Sequence, residues 1–590
     1  MEKTVKKRKP EITLSGIPTS PGIALGPVFM FRSFSINISE LEIKIEDVDQ
    51  EIERFDQAVN QVIEQLNFAQ NSSEAYYADQ FAEIFESQKA FLNDAVLINE
   101  IKQEIKHSRH SAAYVVSKVL NKKSEHFINL ENIYFRERAY DIIDLKYKLI
   151  HALLGIDLDY HLSKPSIVVA ELLSPSDTVQ FNRNLILGFL TDKGGKTSHA
   201  AIMARGLRIP AVVNRYNLSK IIHEDDYLIL DGFKGTIIIN PTEKTRGKYE
   251  RIKKDYIRFA ETLAEQIHLP AVTLDGEPVR LEANIEFAHE LNDVRANKAD
   301  GIGLLRTESI FIEKKALPSE EEQFNFYKRV VEQCNPNPVT IRTVDLGGDK
   351  LLEGYSQEDE LNPFLGWRAI RFCLDKPKIF HTQLRAILRA SAFGKVKILL
   401  PMVSAIEEVD KTKQILQQVQ KELEAEKIDF DRNIQIGIMI ETPAAAIAAP
   451  FFAKRIDFFS IGTNDLTQYV LAIDRTNEKV SKYYNTFNPA VLELVHRTIK
   501  AGEENNLEVV LCGEFAATPE AIPLLVGMGL RTFSMTPFYL PEAKKIIRSI
   551  NSKDCEQLFQ KTQQMVTAEE IEKTCHEFLE EHVPGLKFLI

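Results

Sequence analysis

Cysteine is scarce in this chain: five in 590 residues, Cys334, Cys373, Cys512, Cys555 and Cys575, odd in number and without CxxC spacing. That argues against a disulfide framework and against a zinc site, and it makes the cytoplasm the expected compartment. No apolar run is long enough for a signal peptide or a membrane span, so no membrane insertion is expected. Positive charge is in deficit, with 73 Lys and Arg against 85 Asp and Glu, a net of -12. Such a balance speaks against nucleic acid as a partner and suits a basic one. The one basic run, Lys3, Lys6, Lys7, Arg8 and Lys9, reads as a solvated tail over residues 1–10. The single tryptophan, Trp367, is expected to pack rather than to stack on a ligand.

What is present is globular. A hydrophobic fraction of 44% with 34 Phe and 17 Tyr is too rich for a disordered chain, and 590 residues exceed what one core serves, so two or three domains are expected. Residues 46–151 contain no proline and carry apolar side chains at helical spacing, as in Val48, Ile52, Phe55, Val59, Val62, Ile63 and Leu66. They form a helical insert. Short β-like runs flank it: Ile23–Phe31 before, then 166–171, 185–190, 211–214, Tyr227–Asp231 and Thr236–Ile239 after. Residues 11–45 and 152–241 therefore read as one α/β subdomain that the helices interrupt. A charged helical stretch within 242–270 links it to the remainder, with a hinge expected near its ends.

From residue 271 to 590 the pattern alternates β-like and helical. The β-like runs are Arg280–Ile285, 301–308, 339–346, 396–403, 434–441, 458–464, 509–512 and 531–535. Eight strands with intervening helices predict a closed (β/α)8 barrel of the TIM type; an open parallel sheet is the alternative. In such barrels the active site lies at the C-terminal ends of the strands. Those ends here carry Asn284, Arg306, Glu308, Arg342, Asp345, the run Gly347-Gly348-Asp349-Lys350, Met402, Glu441, Asn464, Asp465, Cys512 and Glu514. Arginine forks match phosphate and carboxylate oxygens, a lysine adds a point charge, and two carboxylates can hold Mg²⁺ against substrate oxygens. The inventory suits a small anion bearing both phosphate and carboxylate. Any one of these residues could merely close an ion pair at a strand end; their joint appearance on one face points to a site.

A second centre is Gly194-Gly195-Lys196-Thr197-Ser198-His199, followed by helix-favouring residues. Two glycines give a tight turn and Thr197 and Ser198 can cap, so His199 should lie in a first helical turn, where free N–H groups favour an anion. A lone histidine there would usually be a cap or a core filler.

The sequence around it carries a resemblance. The run GGKTSHAAIMAR is similar to the phosphohistidine signature of phosphoenolpyruvate-utilising enzymes, and DFFSIGTNDLTQYVLAIDR (residues 457–475) to their barrel-borne signature. With GIGLLRTE, VTIRTVDLGGDK, NPFLGWRAIR, QLRAILRAS, GIMIETPAAA and LCGEFA in this order, the chain resembles the enzyme I family of the sugar phosphotransferase system from about Gly16 to near its C-terminus. The resemblance implies that His199 accepts a phosphoryl group from phosphoenolpyruvate, releasing pyruvate. It implies that Arg306, Arg342, Lys350, Arg368 and Arg475 bind that substrate with Asn464 beside them. Glu441 and Asp465 are implied as ligands of Mg²⁺, Asp465 also lying on the substrate, and Cys512 as the proton donor to C3 of the enolate, a role that needs a neutral thiol. It further implies that the helical insert docks the small carrier HPr and that the barrel forms a homodimer.

Four positions depart from the family pattern. Gln88 stands where a histidine is usual on the carrier-facing helix, Leu361 replaces a glutamate, Asn488 a histidine, and Lys196 an arginine. Other readings remain open. A pyruvate phosphate dikinase or phosphoenolpyruvate synthase shares both signatures but places a large nucleotide-binding domain ahead of the histidine, whereas residues 1–193 are largely helical and hold no GxxxxGK[ST] run. The nitrogen-related, regulatory paralogue usually carries an extra N-terminal sensory domain. A catalytically silent regulator on the same scaffold would not need His199, Glu441, Asp465, Arg475 and Cys512 together.

Overall fold

The computed structural model describes residues 9–31, 38, 40–72, 88–128, 133–156, 161–174, 177, 181–193, 201, 204, 209–213, 218, 221–312, 317–346, 362–475, 477 and 479–583. His199 and its neighbours 194–198, Lys350, Leu361 and the residues 85–87 before Gln88 lie outside them. The chain divides into two compact units, Met1–Arg258 and Phe259–Ile590. The division falls within the helix Glu243–Gln266.

The first unit holds an eight-stranded sheet. Its strands are β1 (Ile12–Ser15), β2 (Ile17–Ser20), β3 (Ile23–Phe31), β4 (Ser166–Ala170), β5 (Ile186–Thr191), β6 (Ala211–Val213), β7 (Tyr227–Asp231) and β8 (Thr236–Ile239), in the order β1-β8-β7-β3-β4-β5-β6-β2. Strands β3 to β6 run parallel, and the remaining pairs are antiparallel. β4 is buried along its whole length. Its side chains alternate between two cores, Ile167 and Val169 in one, Val168 and Ala170 in the other, as the two-residue period of a strand dictates. Parallel neighbours need a long crossover. Here the connection between β3 and β4 is the entire helical insert, with helices Val48–Ser72, Ala95–Ser108, Ala112–Ile128 and Ile133–Leu154. Phe55, Val62 and Leu66 of the first helix close a core with Ile101, Ile105, Val116, Leu145 and Leu149, the face that the helical spacing foretells.

Two expectations change in this unit. β1 and β2 have no counterpart among the predicted runs. Lys9, expected in a solvated tail, pairs with Asp225 at 2.8 Å and with the buried Asp226 at 2.7 Å, which ties the chain down one residue before the expected end of the tail.

In the second unit, β9 (Arg280–Ile285), β10 (Ile302–Leu305), β11 (Val339–Arg342), β12 (Val396–Leu400), β13 (Gln435–Ile440), β14 (Phe458–Ile461), β15 (Glu508–Leu511) and β16 (Thr532–Met535) close into a barrel in which every pair is parallel. Leu304, Leu399, Met439, Phe458 and Cys512 fill the interior. Their neighbours Leu305, Ile398, Leu400, Ile438 and Ile440 face the helices instead. Toward the N-terminal ends of the strands Arg280 bridges Glu282 at 2.6 Å and Glu508 at 2.9 Å, and Lys397 also pairs with Glu508. That end is sealed by ion pairs. Among the described residues no helix is long and apolar enough to cross a membrane.

Candidate active site

Most of the strands stop earlier than their hydrophobic runs, and apart from Asn284 and Arg342 the polar residues of the site sit beyond the strand ends. β10 ends at Leu305, so Arg306 lies beyond it and Glu308 opens a short helix, Glu308–Ile312. β11 ends at Arg342, yet Thr343, Val344, Asp345 and Leu346 stay buried. These two strand ends lock together. Glu308 places one carboxylate oxygen 3.0 Å from Arg342 Nη2 and accepts the Asp345 N–H on the other at 3.0 Å. Thr307 Oγ1 donates to the Arg342 carbonyl at 3.0 Å.

Asp345 in turn grips a second arginine. Arg368 donates Nε and Nη2 to its two carboxylate oxygens at 3.1 and 2.8 Å, and Arg342 Nη1 lies 3.5 Å from the same group. Burial pulls both guanidiniums down, but Glu308, Asp345 and Glu441 around Arg342, and Asp345 and Asp465 around Arg368, outweigh it and hold both above their ordinary values. Both arginines are therefore charged. Removing Asp345 would leave the buried Arg368 without its bidentate partner, at a cost of about 3–5 kcal/mol, whereas Arg342 would keep Glu308. Among the described residues the buried Arg342 Nε has no hydrogen-bond partner, an unspent donor beside these carboxylates.

Glu441, the residue after β13, is 1% exposed and accepts the Met402 N–H on Oε1 at 2.6 Å. Met402 reaches this position only with a left-handed backbone, φ 56°, an uncommon conformation for a side chain of its size. Burial, and then the charges of Asp465 and Asp345, push the Glu441 carboxyl well above the usual carboxylate range. Gly462 permits this packing, since a Cβ there would lie 3.0 Å from Glu441 Oε2. Asp465 sits in the first turn of helix Thr463–Leu471, half-buried, and its carboxylate makes no hydrogen bond or ion pair among the described residues. The donors are all oxygens, as Mg²⁺ prefers, and a divalent cation would relieve the repulsion among these carboxylates. Among the described residues no three His, Cys, Asp or Glu side chains form a metal cluster. An ion held by Glu441 and Asp465 would complete its shell with substrate oxygens and water.

Cys512 follows β15 and is buried in the barrel interior. Ser460 Oγ donates to its sulfur at 3.2 Å, and the thiol points at the Ile461 carbonyl at 3.6 Å. Burial pushes the thiol up to about 11, the Ser460 hydrogen bond opposing, so it is a neutral S–H at physiological pH. Gly513 lets the next turn close on the neighbouring strand end: a Cβ would fall 1.9 Å from Thr463 Oγ1. Asn464 and Glu514 then pair reciprocally, Asn464 Nδ2 donating to Glu514 Oε1 at 3.2 Å and the Glu514 N–H to Asn464 Oδ1 at 3.0 Å. Tyr484 donates to the Asn464 carbonyl at 2.9 Å.

Of the residues expected here, Arg342, Arg368, Glu441 and Asp465 act on one another electrostatically, and Cys512 feels Glu441, Arg342 and Arg306. Arg306 and Arg475 are exposed, with no side-chain hydrogen bond or ion pair among the described residues. Asn284 does not contribute a free amide: it donates to the carbonyls of Cys512 and Ser534, and its oxygen accepts the Ser534 hydroxyl. Trp367 packs edge-on against Phe372, with Lys376 over its ring. Asn488 caps the helix Pro489–Glu504 by accepting the Ala490 N–H. Gln88 is 1% exposed and donates to Asp144 at 2.8 Å, so this side chain faces the interior rather than a docking partner. Sequence reasoning passed over Tyr469. Its hydroxyl bonds Phe364, 105 positions away, and no local pattern signals such a contact.

Three family profiles cover most of the chain: "PEP-utilising enzyme, N-terminal" matches residues 15–138, "PEP-utilising enzyme, mobile domain" 162–235, and "PEP-utilising enzyme, PEP-binding domain" 260–552. The chain belongs to the PEP-utilising enzymes. Its relatives within them match from end to end. The phosphoenolpyruvate-protein phosphotransferase of Haemophilus influenzae is 41% identical over 572 residues, 96% of this chain and 99% of its own. That of Staphylococcus carnosus is 38% identical over 571 residues, again 96% and 99%. Among solved structures, an NMR solution structure of an Enzyme I protein is 35% identical and covers 41% of this chain and 99% of its own, with a TM-score of 0.36.

Proposed function

We propose that this chain is a phosphoenolpyruvate-protein phosphotransferase: it takes the phosphoryl group of phosphoenolpyruvate onto His199, releases pyruvate, and passes the group to a small carrier protein of the HPr type. The observation that carries the reading is the pair of buried, charged arginines at one barrel mouth, Arg342 with an unspent Nε, beside the carboxylates Glu441 and Asp465. A dianionic phosphate and a carboxylate would meet the forks of Arg342 and Arg368, with Arg306, Arg475 and Lys350 closing around them and Asn464, held by Glu514, alongside. Mg²⁺ on Glu441 and Asp465 would draw charge from the substrate oxygens as the P–O bond breaks.

A neutral imidazole nitrogen of His199 supplies the lone pair for the new P–N bond, and the enolate keeps the electrons of the broken P–O bond. Cys512 gives its proton to C3 of that enolate, forming the methyl group of pyruvate, and the thiolate recovers a proton from solvent. The neutral, buried thiol suits this task, because a thiolate would have no proton to give. Charge-stabilising arginines and metal are expected to outweigh the proton step in overall rate, as in other phosphoryl transfers.

Residues 46–151 are assigned to docking the carrier, and hinges near the ends of helix Glu243–Gln266 would let one histidine serve two partners in turn. The barrel is assigned to homodimer contacts, to which the exposed Ile447 and Phe451, on the successive short helices Pro443–Ile447 and Ala449–Phe452, lend support. Five free, buried cysteines suit the cytoplasm. The chain alone, without ATP, should exchange isotope between pyruvate and phosphoenolpyruvate, and His199→Ala should abolish the exchange. Exchange that survives in His199→Ala, or that requires ATP, would overturn the assignment.

A further inference from the structure

Arg368 is held on two sides. Asp345 takes its Nε and Nη2 at 3.1 and 2.8 Å, and Tyr469 Oη lies 3.4 Å from Nη1. A guanidinium has five N–H groups, so among the described residues two remain after these contacts, one on each terminal nitrogen. An N–H on each of the two terminal nitrogens can be offered end-on as a fork to two oxygens of an anion.

Tyr469 comes from a different part of the barrel. It lies on helix Thr463–Leu471, the helix whose first turn carries Asn464 and Asp465. Its one hydroxyl proton goes to the Phe364 carbonyl at 2.5 Å, and its lone pair is turned to Arg368. Phe364 and Arg368 sit four residues apart on the segment 362–368, whose next carbonyls, Leu365 and Gly366, accept from Arg371. One phenol therefore fixes both the backbone of that segment and the side chain at its end. Asp345 supplies the opposing charge, but from a bidentate contact about which the fork can still tilt; the second contact at Nη1 removes the tilt.

We propose that Tyr469 is a positioning residue for phosphoenolpyruvate: its hydroxyl, shared between the Phe364 carbonyl and Arg368 Nη1, couples the helix bearing Asn464 and Asp465 to the segment bearing Arg368 and aims the free fork at the substrate. The inference rests on Arg368 being a substrate ligand. It differs from a packing role in what it predicts for the phenylalanine variant, which keeps the ring and loses one oxygen.

The test is single-turnover labelling of the full chain by radiolabelled phosphoenolpyruvate in magnesium buffer, for the parent, Tyr469→Phe, Arg368→Lys and the double variant. Tyr469→Phe should raise the half-saturating phosphoenolpyruvate concentration about tenfold while the maximal rate stays within about twofold, because a contact present in both ground and transition states is lost. In the Arg368→Lys background the same change should add less than about twofold, since the two residues act through one contact. Unchanged half-saturation in Tyr469→Phe, whatever its melting temperature, would overturn the inference, and so would an undiminished tenfold effect in the Arg368→Lys background. Arg368→Lys behaving like the parent would instead remove the ligand assignment of Arg368 on which all of this stands.

Discussion

Replacing Glu441 with glutamine is expected to lower phosphoenolpyruvate turnover by about 100- to 1000-fold at saturating substrate and magnesium, the range seen when one preorganised charge-stabilising group is removed. The fold should survive. A glutamine oxygen can still accept the Met402 N–H that Glu441 Oε1 now takes, and the side-chain volume beside Gly462 is unchanged. What disappears is a charge, in a position where Asp465 and Asp345 already crowd it. The parent should melt higher when magnesium is added, and the variant should lose most of that increment. Steady-state kinetics with a magnesium titration, alongside thermal melts, make the comparison. Parental activity in Glu441→Gln, or full activity of the parent in excess chelator, would remove the metal assignment.

The second large effect is expected at Cys512. Cys512→Ala should slow pyruvate formation by about 100- to 10,000-fold, the usual worth of a positioned general acid, while phosphoenolpyruvate half-saturation stays within about twofold. The sulfur is engaged with Ser460 and the Ile461 carbonyl and, among the described residues, makes no hydrogen bond to an arginine, so binding should be spared. The sign of the pH dependence follows from its surroundings. Burial raises the thiol to about 11, so the acid form is retained across the neutral range and is lost only as pH rises through that value. Proton delivery should therefore show no alkaline fall attributable to this group below about pH 10. If the alanine variant makes pyruvate at the parental rate, the cysteine is a packing residue. A water held by Glu514, which is exposed and already engaged with Asn464, is then the acid to examine.

The eight barrel strands and the helical insert were legible because burial imposes a period on the sequence: two in β12 and β13, where Leu399 and Met439 face in and their neighbours out, and 3.6 along Val48–Ser72. Strand ends were overextended for a physical reason. Thr343, Val344 and Leu346 beyond β11, and Met402 and Val403 beyond β12, are as buried as the strands, so hydrophobicity continues after the ladder has stopped. β1 and β2 escaped because each has only four residues, Ile-Thr-Leu-Ser and Ile-Pro-Thr-Ser, too few for a two-residue period to stand out. The polar inventory of the site could be gathered from strand ends, but not its wiring. Nothing local says that Glu308 serves Arg342, that Asp345 grips Arg368 from 23 positions away, or that the Asn284 amide is spent on two carbonyls. The first and last follow from strand pairing, which brings β10 against β11 and β9 against β16, and the second joins the end of β11 to the start of the helix Ala369–Asp375.

The most direct measurement of whether this chain moves a phosphoryl group from phosphoenolpyruvate through His199 to a carrier is to incubate the full chain with radiolabelled phosphoenolpyruvate and magnesium, then add HPr from the same cell. The expected result is acid-labile label at His199, formed without ATP, that leaves the chain for the carrier. No label, label at another residue, or label that appears only when ATP is supplied would contradict it.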